Sequence, residues 1–179
     1  MADPNPSDAV LIVAPDPAWP EIYRLEAARI SQALDVDFLD IQHIGSTAVP
    51  GLAAKPTIDI LAAVRKLGPS EEYSCQLETL GYQFESQVDD AIRLFFRKGA
   101  PRTHHLHIVE FGSWEYRRHL LFRDHLRAYP DTARAYERLK RELAVTHAHD
   151  RATYTASKTD FIASVLELAA RERAQQGKD

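Results

Sequence analysis

The stretch best suited to chemistry is HIGSTAVPGLAAKPTIDI, which occupies residues 43–60. A glycine in this stretch brings backbone close to a ligand at no steric cost, and the hydroxyl and amide groups after it suit phosphate oxygens. A lysine adds positive charge. The stretch therefore predicts a phosphate-binding turn made of Gly45, Ser46, Thr47 and Lys55. The alternative is a tight loop with a structural role alone.

Asp59 lies in the β-branched strand that follows this turn. A carboxylate on a central strand must be paired, hydrogen-bonded or bound to a metal ion. Mg²⁺ is the natural counter-ion when a nucleotide phosphate lies on the turn, which makes Asp59 a candidate metal ligand and catalytic residue. In the alternative interpretation, Asp59 caps a neighbouring backbone amide.

Histidines provide the other candidate metal or acid/base groups. His43 precedes the turn at a strand end, and strand alternation places His105 and His107 on one face of a later strand. His43, Asp59 and His107 fit either a two-histidine, one-carboxylate metal site or a hydrogen-bonded acid/base set. Separate structural histidines are the third interpretation. Glu110 is a further candidate carboxylate, although strand alternation places it on the same face as the apolar residues Leu106 and Ile108.

Two more cations are predicted to hold phosphate. Arg93 lies on the strand before the histidines, and Lys158 follows Tyr154 by four residues on one face of the predicted last helix. An arginine can bind two phosphate oxygens at once. Ordinary surface charge is the alternative for both. Arg123 and Asp124 are candidates for locking the later helices to the sheet.

Apolar periodicity predicts the elements that must position these residues. Strands are predicted at 9–14, 38–44, 56–64, 82–86, 91–98 and 104–111, and helices at 19–34, 70–80, 114–130, from 130 onward and around 161–169. Strands first and helices later indicate an α+β fold. We expect a flexible tail at 1–8, one domain at 9–170 with a core at 9–112 and a helical cap at 113–170, and a polar tail at 171–179.

Net charge, cysteine content and the distribution of apolar residues indicate which classes of partner and cellular location to expect. The chain has 179 residues and a formal charge of −4, and a nucleic-acid substrate is disfavoured because no basic stripe is present. Cys75, the single cysteine, excludes an intrachain disulfide and is predicted to be a small core residue. The N-terminus lacks a signal-peptide pattern, and no apolar run is long enough to span a bilayer. A cytoplasmic location without membrane association is therefore the expectation.

Several pieces of the sequence resemble the GrpB (UPF0157-like) family, and together they span roughly residues 10–166. They are HIGSTAVPGLAAKPTIDI, RLFFRK, HLHIVE, LLFRDHLRAYPDTARAYERLK and YTASKTDFI. The resemblance implies a nucleotidyltransferase-like mixed sheet flanked by helices, with a C-terminal helical cap. In that superfamily a Gly-Ser turn precedes a strand with two metal-binding carboxylates one residue apart. Gly45, Ser46 and Asp59 match this pattern, but the second carboxylate position is Leu61, which cannot bind a metal.

The expected function is a nucleotidyltransferase-like enzyme that binds a nucleotide or another phosphorylated small molecule. A nucleoside triphosphate is the candidate substrate and Mg²⁺ or another divalent metal the candidate cofactor, with Asp59 and His107 as catalytic residues and a small molecule as acceptor. Leu61 favours a second interpretation, a non-catalytic nucleotide- or anion-binding module. A third is a metal-dependent enzyme that uses the histidines and Asp59 without a nucleotide.

Overall fold

Five strands form one mixed sheet in the computed structural model, which describes residues 10–34 and 38–176. The strands are β1 (Phe38–Ile44), β2 (Ile58–Val64), β3 (Tyr82–Phe84), β4 (Arg93–Lys98) and β5 (His104–Glu110). Their order across the sheet is β1-β2-β5-β4-β3. β2 and β5 are parallel, and the other neighbouring pairs are antiparallel. The predicted mixed sheet of an α+β fold is confirmed.

Helices cover both faces of this sheet. They are α1 (Trp19–Ala33), α2 (Glu71–Glu78), α3 (Trp114–Ala128), α4 (Pro130–Thr146), α5 (Arg151–Ala156) and α6 (Thr159–Gln176). Helices α1 and α2 pack on the first face of the sheet, and α3 packs on the second. None of the helices within the described ranges is long and apolar enough to cross a membrane.

The interior strand β2 is buried on both faces, which explains its nearly continuous apolar sequence IDILAAV. Ile58 and Ile60 belong to the main core with α1 and α2. Leu61 points the other way, is 0% exposed, and packs in a second cluster with Ile44 and Val109. The position that corresponds to a second metal-binding carboxylate in the resemblance to nucleotidyltransferases is therefore part of the apolar core.

Polar contacts hold α3 to the sheet edge. The buried Arg123 guanidinium donates to Gln42 Oε1 at 2.7 Å and to the His43 carbonyl at 3.0 Å. It also bonds Asp124 at 2.8 Å. The Tyr116 hydroxyl donates to Asp40 Oδ2 at 2.6 Å. The predicted lock between the helices and the sheet exists, and its principal partner is β1 rather than Asp124.

Three predicted element boundaries need correction. Residues 10–14 do not form the predicted strand, because Val13 makes only an isolated bridge to Ala54 before the prolines that follow. Residue 9 of that strand and the predicted tail at 1–8 lie outside the described residues. Helix α6 continues to Gln176, since the residues after 170 are good helix formers. The predicted last helix is interrupted at Ser157, so Tyr154 and Lys158 do not share one helix.

The predicted core position of Cys75 also needs correction. Cys75 is exposed, because α2 buries Tyr73 and Leu77, which lie one turn apart on the opposite side of the helix. Trp114 is 56% exposed at the start of α3. By contrast, Phe122 packs between helices against Leu126 and other members of a third apolar cluster.

Candidate functional site

A cavity of about 710 Å³ lies between the second face of the sheet and the later helices. This size is typical of small-molecule sites. Its cationic lining residues are Lys55, Arg93, Arg102, Lys140, Arg151 and Lys158, and its acidic ones are Asp59 and Glu85. Every predicted substrate-binding residue, from Gly45 and Ser46 to Lys158, lines this one cavity. The charges of the lining favour an anionic ligand.

Asp59 lies beside His105 because β2 and β5 pair in parallel with these two residues in register. The His105 Nδ1 donates to Asp59 Oδ1 at 2.9 Å. Burial alone would raise the pKa of Asp59, but the bond from His105 and the charges of Lys55 and Lys158 outweigh it, so the pKa lies below its usual value. Asp59 is thus a stable carboxylate with an imidazole partner.

His105 was not among the predicted site residues, although it shares a strand face with His107. The alternation of β5 gives that shared face, but only the register between β2 and β5 shows which histidine meets Asp59. His107 instead lies opposite Leu61, two residue pairs further along the two strands. The spacing of residues within one strand does not reveal the register between two strands.

Gly45 is required by the close approach of Asp59. Its backbone has φ 69° and ψ −170°, a region that only glycine adopts readily. A Cβ at this position would lie 3.0 Å from both Cβ and Cγ of Asp59 and would collide with the carboxylate oxygen Oδ2. The glycine of the predicted phosphate turn therefore also makes room for the acidic side chain.

His43 does not join Asp59 and His107, so the predicted three-residue metal set is not assembled. In the antiparallel β1–β2 pair, Ile44 lies opposite Asp59 and His43 lies opposite Ile60, on the first face of the sheet. There His43 stacks on Tyr23 with ring centroids 4.7 Å apart. Burial lowers the pKa of His43 to about 4. His43 is a structural histidine.

Thr47 lines the cavity, but its hydroxyl group is already engaged on the inner side. It contacts His43 Nε2 at 2.9 Å and donates to the Thr57 carbonyl at 3.5 Å. Ser46 and Thr47 begin a short 3₁₀ turn that ends at Ala48, and the first amides of a helical turn have no intrahelical acceptor. The backbone of this turn is therefore better placed than the Thr47 hydroxyl to bind an anion.

His107 and Arg93 contact each other on the cavity wall. The Arg93 Nη1 donates to His107 Nδ1 at 3.0 Å, and Arg93 also makes two bonds of 3.0 Å to Asp89. Burial, together with the nearby His119 and Arg93, holds the pKa of His107 well below its ordinary value. His107 is therefore neutral, and the charge of Arg93 is partly offset by Asp89. A catalytic role for His107 stays a prediction.

Lys55 and Lys158 lie over the ring of Tyr154, with their Nζ atoms 4.8 Å and 4.4 Å from its centroid. The short helix α5 that carries Tyr154 begins at Asp150, whose side chain accepts from the Thr153 amide at 3.0 Å. Burial lowers the pKa of Lys55, against the opposing charge of Asp59. Burial and the neighbouring charge of Lys55 lower the pKa of Lys158 to about 8.

Lys140 is a buried cavity residue that the sequence analysis missed. Its ammonium group donates to the Ala53 carbonyl and lies 5.0 Å from the centroid of the Tyr136 ring. Glu137 accepts from the amide of the same Ala53 at 3.1 Å, so α4 holds both sides of this peptide. Burial lowers the pKa of Lys140 to about 7, and the charge of Lys158 acts in the same direction.

The residues present do not fit the two-carboxylate metal site that the superfamily resemblance implies. Asp59 uses Oδ1 in its bond to His105, and the next position on the same strand face is the buried Leu61. Glu110 is exposed at the end of β5 and does not line the cavity. Over residues 10–34 and 38–176, no group of three His, Cys, Asp or Glu side chains is arranged to hold a metal ion.

Fold and cavity together define an α+β protein with a mixed sheet and a cavity whose lining carries more positive than negative side chains. The sequence profile described as GrpB protein matches residues 9–168, and the chain belongs to the GrpB family.

Relatives support this assignment along most of the chain. It is 43% identical over 164 residues to a UPF0157 protein of Pseudomonas aeruginosa, covering 89% of this chain and 67% of the relative. It is 37% identical over 167 residues to UPF0157 protein YqkA of Bacillus subtilis, covering 93% of this chain but 49% of that relative. The crystal structure of GrpB from Enterococcus faecalis is similar with a TM-score of 0.83 and 36% identity, covering 91% of this chain and 99% of that one.

The contact between Gly45 and Asp59 can be tested against a matched glycine. Gly51 has φ 76° and open space around its Cβ position, so Gly51→Ala pays only the left-handed backbone cost of about 1–2 kcal/mol. We expect Gly45→Ala to lower the free energy of unfolding by about 1–3 kcal/mol more, because its Cβ displaces the Asp59 carboxylate and because its backbone conformation is accessible to glycine but not to alanine. Urea unfolding of both variants measures the difference. Equal losses would show that Asp59 does not constrain Gly45.

Proposed function

We propose that this protein binds a nucleotide or another phosphorylated small molecule in the cavity between the sheet and the later helices. The observation that carries the proposal is the set of three lysines in its wall, Lys55, Lys140 and Lys158. Burial and mutual repulsion lower the pKa of Lys140 and Lys158, so an anion that enters the cavity relieves an existing electrostatic cost.

Other parts of the wall support the same ligand class. The 3₁₀ turn at Ser46 offers backbone amides and a hydroxyl group to phosphate oxygens. Phe122 and Tyr136 form an aromatic wall with ring centroids 5.2 Å apart, against which the organic part of a ligand can pack. The resemblance to nucleotidyltransferases agrees with a nucleotide. The binding proposal requires no catalytic step.

A second candidate function is transfer of a phosphoryl or nucleotidyl group to a small-molecule acceptor, and the Asp59–His105 pair favours it. An aspartate that accepts from Nδ1 fixes the imidazole tautomer and leaves the Nε2 lone pair to accept a proton. Within the described residues, His105 Nε2 has no hydrogen-bond partner. The third interpretation, a two-histidine metal enzyme, lacks support because His43 faces the other side of the sheet.

Loss of one cavity lysine should weaken binding. Lys158→Met keeps the aliphatic stem over Tyr154 and removes the charge. We expect the Kd for ATP and for tripolyphosphate, measured by isothermal titration calorimetry, to rise about ten- to a hundredfold, as for the loss of a charge-assisted bond. Lys66→Met is the matched control, since Lys66 is exposed and outside the cavity. The same Kd for both variants would place the anion site elsewhere.

Binding should also take up protons and weaken as the pH rises. Lys158, with a pKa of about 8, loses its charge between about pH 7 and 9 in the free protein, and a bound anion restores that charge. ATP is the probe for this measurement, because its last ionisation lies near pH 6 and its charge is nearly constant over this range. Calorimetry in two buffers of different ionisation enthalpy measures the uptake. A Kd that does not change with pH would contradict the role of Lys158.

Transfer can be tested separately from binding. We expect ³¹P NMR of a nucleoside triphosphate incubated with the protein to show slow formation of products, with water or an added small alcohol as acceptor. Asp59→Asn should slow product formation about 10²- to 10⁴-fold, since the fixed tautomer of His105 is lost. Equal rates for Asp59→Asn and the unmodified protein would show that this pair does not act in the reaction.

A further inference from the structure

We propose that the cavity binds its phosphorylated ligand without a divalent metal ion, and that the ammonium groups of Lys55 and Lys158 supply the positive charge. This inference rests on the proposed function and defines the ligand further, as a free phosphate ester or anhydride rather than its magnesium complex.

The oxygen atoms at the centre of the site are poorly arranged for a hard cation. Mg²⁺ requires an octahedron of oxygen ligands, of which the protein usually supplies one or two carboxylates. At Asp59, Oδ1 accepts from His105, and Oδ2 packs against the Cα of Gly45. Only 27% of the Asp59 side chain is exposed. The neighbouring position on the same face, Leu61, is closed to solvent and to ligands.

Two lysine side chains supply positive charge to the cavity in place of a metal ion. The Nζ atoms of Lys55 and Lys158 converge on the Tyr154 ring, at 4.8 Å and 4.4 Å from its centroid. In the described part of the chain neither ammonium group forms an ion pair, and the carboxylate whose charge acts on both is Asp59. Burial lowers the pKa of both lysines, and the charge of Lys55 lowers the pKa of Lys158 further, which is the expected state of a cation site without its anion.

The consequence for the ligand is an electrostatic preference. A magnesium complex of a nucleoside triphosphate carries less negative charge than the free triphosphate, so it gains less from the two lysines. The negative charge of Asp59 opposes a phosphate that is not screened by a metal. A lysine-based site therefore predicts that removal of the Asp59 charge tightens binding, whereas a metal-based site predicts that it abolishes binding.

The test is calorimetric titration of the full chain with ATP and with tripolyphosphate, once in excess EDTA and once in excess Mg²⁺. We expect both probes to bind in EDTA, and to bind several-fold more weakly when Mg²⁺ is present. Lys55→Met and Lys158→Met should each raise the Kd about tenfold or more in EDTA, and Lys66→Met should not. Asp59→Asn should lower the Kd. Circular dichroism confirms that each variant is folded.

The outcomes separate the inference from the proposed function. Binding that requires Mg²⁺ overturns the inference and leaves the proposed function standing; this comparison uses the unmodified protein and does not depend on the folding of any variant. Binding in EDTA that Asp59→Asn abolishes also overturns it. If no probe binds in either medium, the proposed function fails, and the inference fails with it.

Discussion

The parallel pairing of β2 with β5 is the constraint on which the site depends. It places Asp59 directly beside His105, and β4, which pairs with the other edge of β5, places Arg93 in the lining of the same cavity. Parallel neighbours require a long connection, and here α2, β3 and β4 lie in that connection. Asp59 and His105 are therefore far apart in the chain, and the sheet fixes their separation in space.

Stability and function are supplied by different parts of the molecule. The main core between the first face of the sheet and α1 and α2 is apolar, and it includes fully buried residues such as Ile60 and Phe96. The cavity side instead holds partly dehydrated lysines whose charges repel each other. Packing elsewhere must offset this cost, a pattern found where a site is prepared for a ligand. The later helices bury Lys140 and Lys158 at the cavity wall.

The local turn was predictable from sequence, but the contacts across strands were not. Gly45, Lys55 and Asp59 were identified because their chemistry depends on short spacing, and all three line the cavity. His43 was misplaced because parity within β1 does not show that Ile44, rather than His43, lies opposite Asp59. Lys140 was missed because a lysine on an amphipathic helix usually lies in solvent, and its burial depends on the tertiary contact with Ala53.

Leu61 shows why membership of the GrpB family does not carry a reaction with it. This residue is not a single missing ligand in an otherwise intact metal site. It packs with Ile44, Ala63 and Val109 beneath α3, so a carboxylate at this position would be a buried charge without a partner. The packing of α3 on the sheet therefore favours an apolar residue at position 61. Any chemistry of the cavity must be carried by the groups that remain there, Asp59, His105 and the lysines around Tyr154.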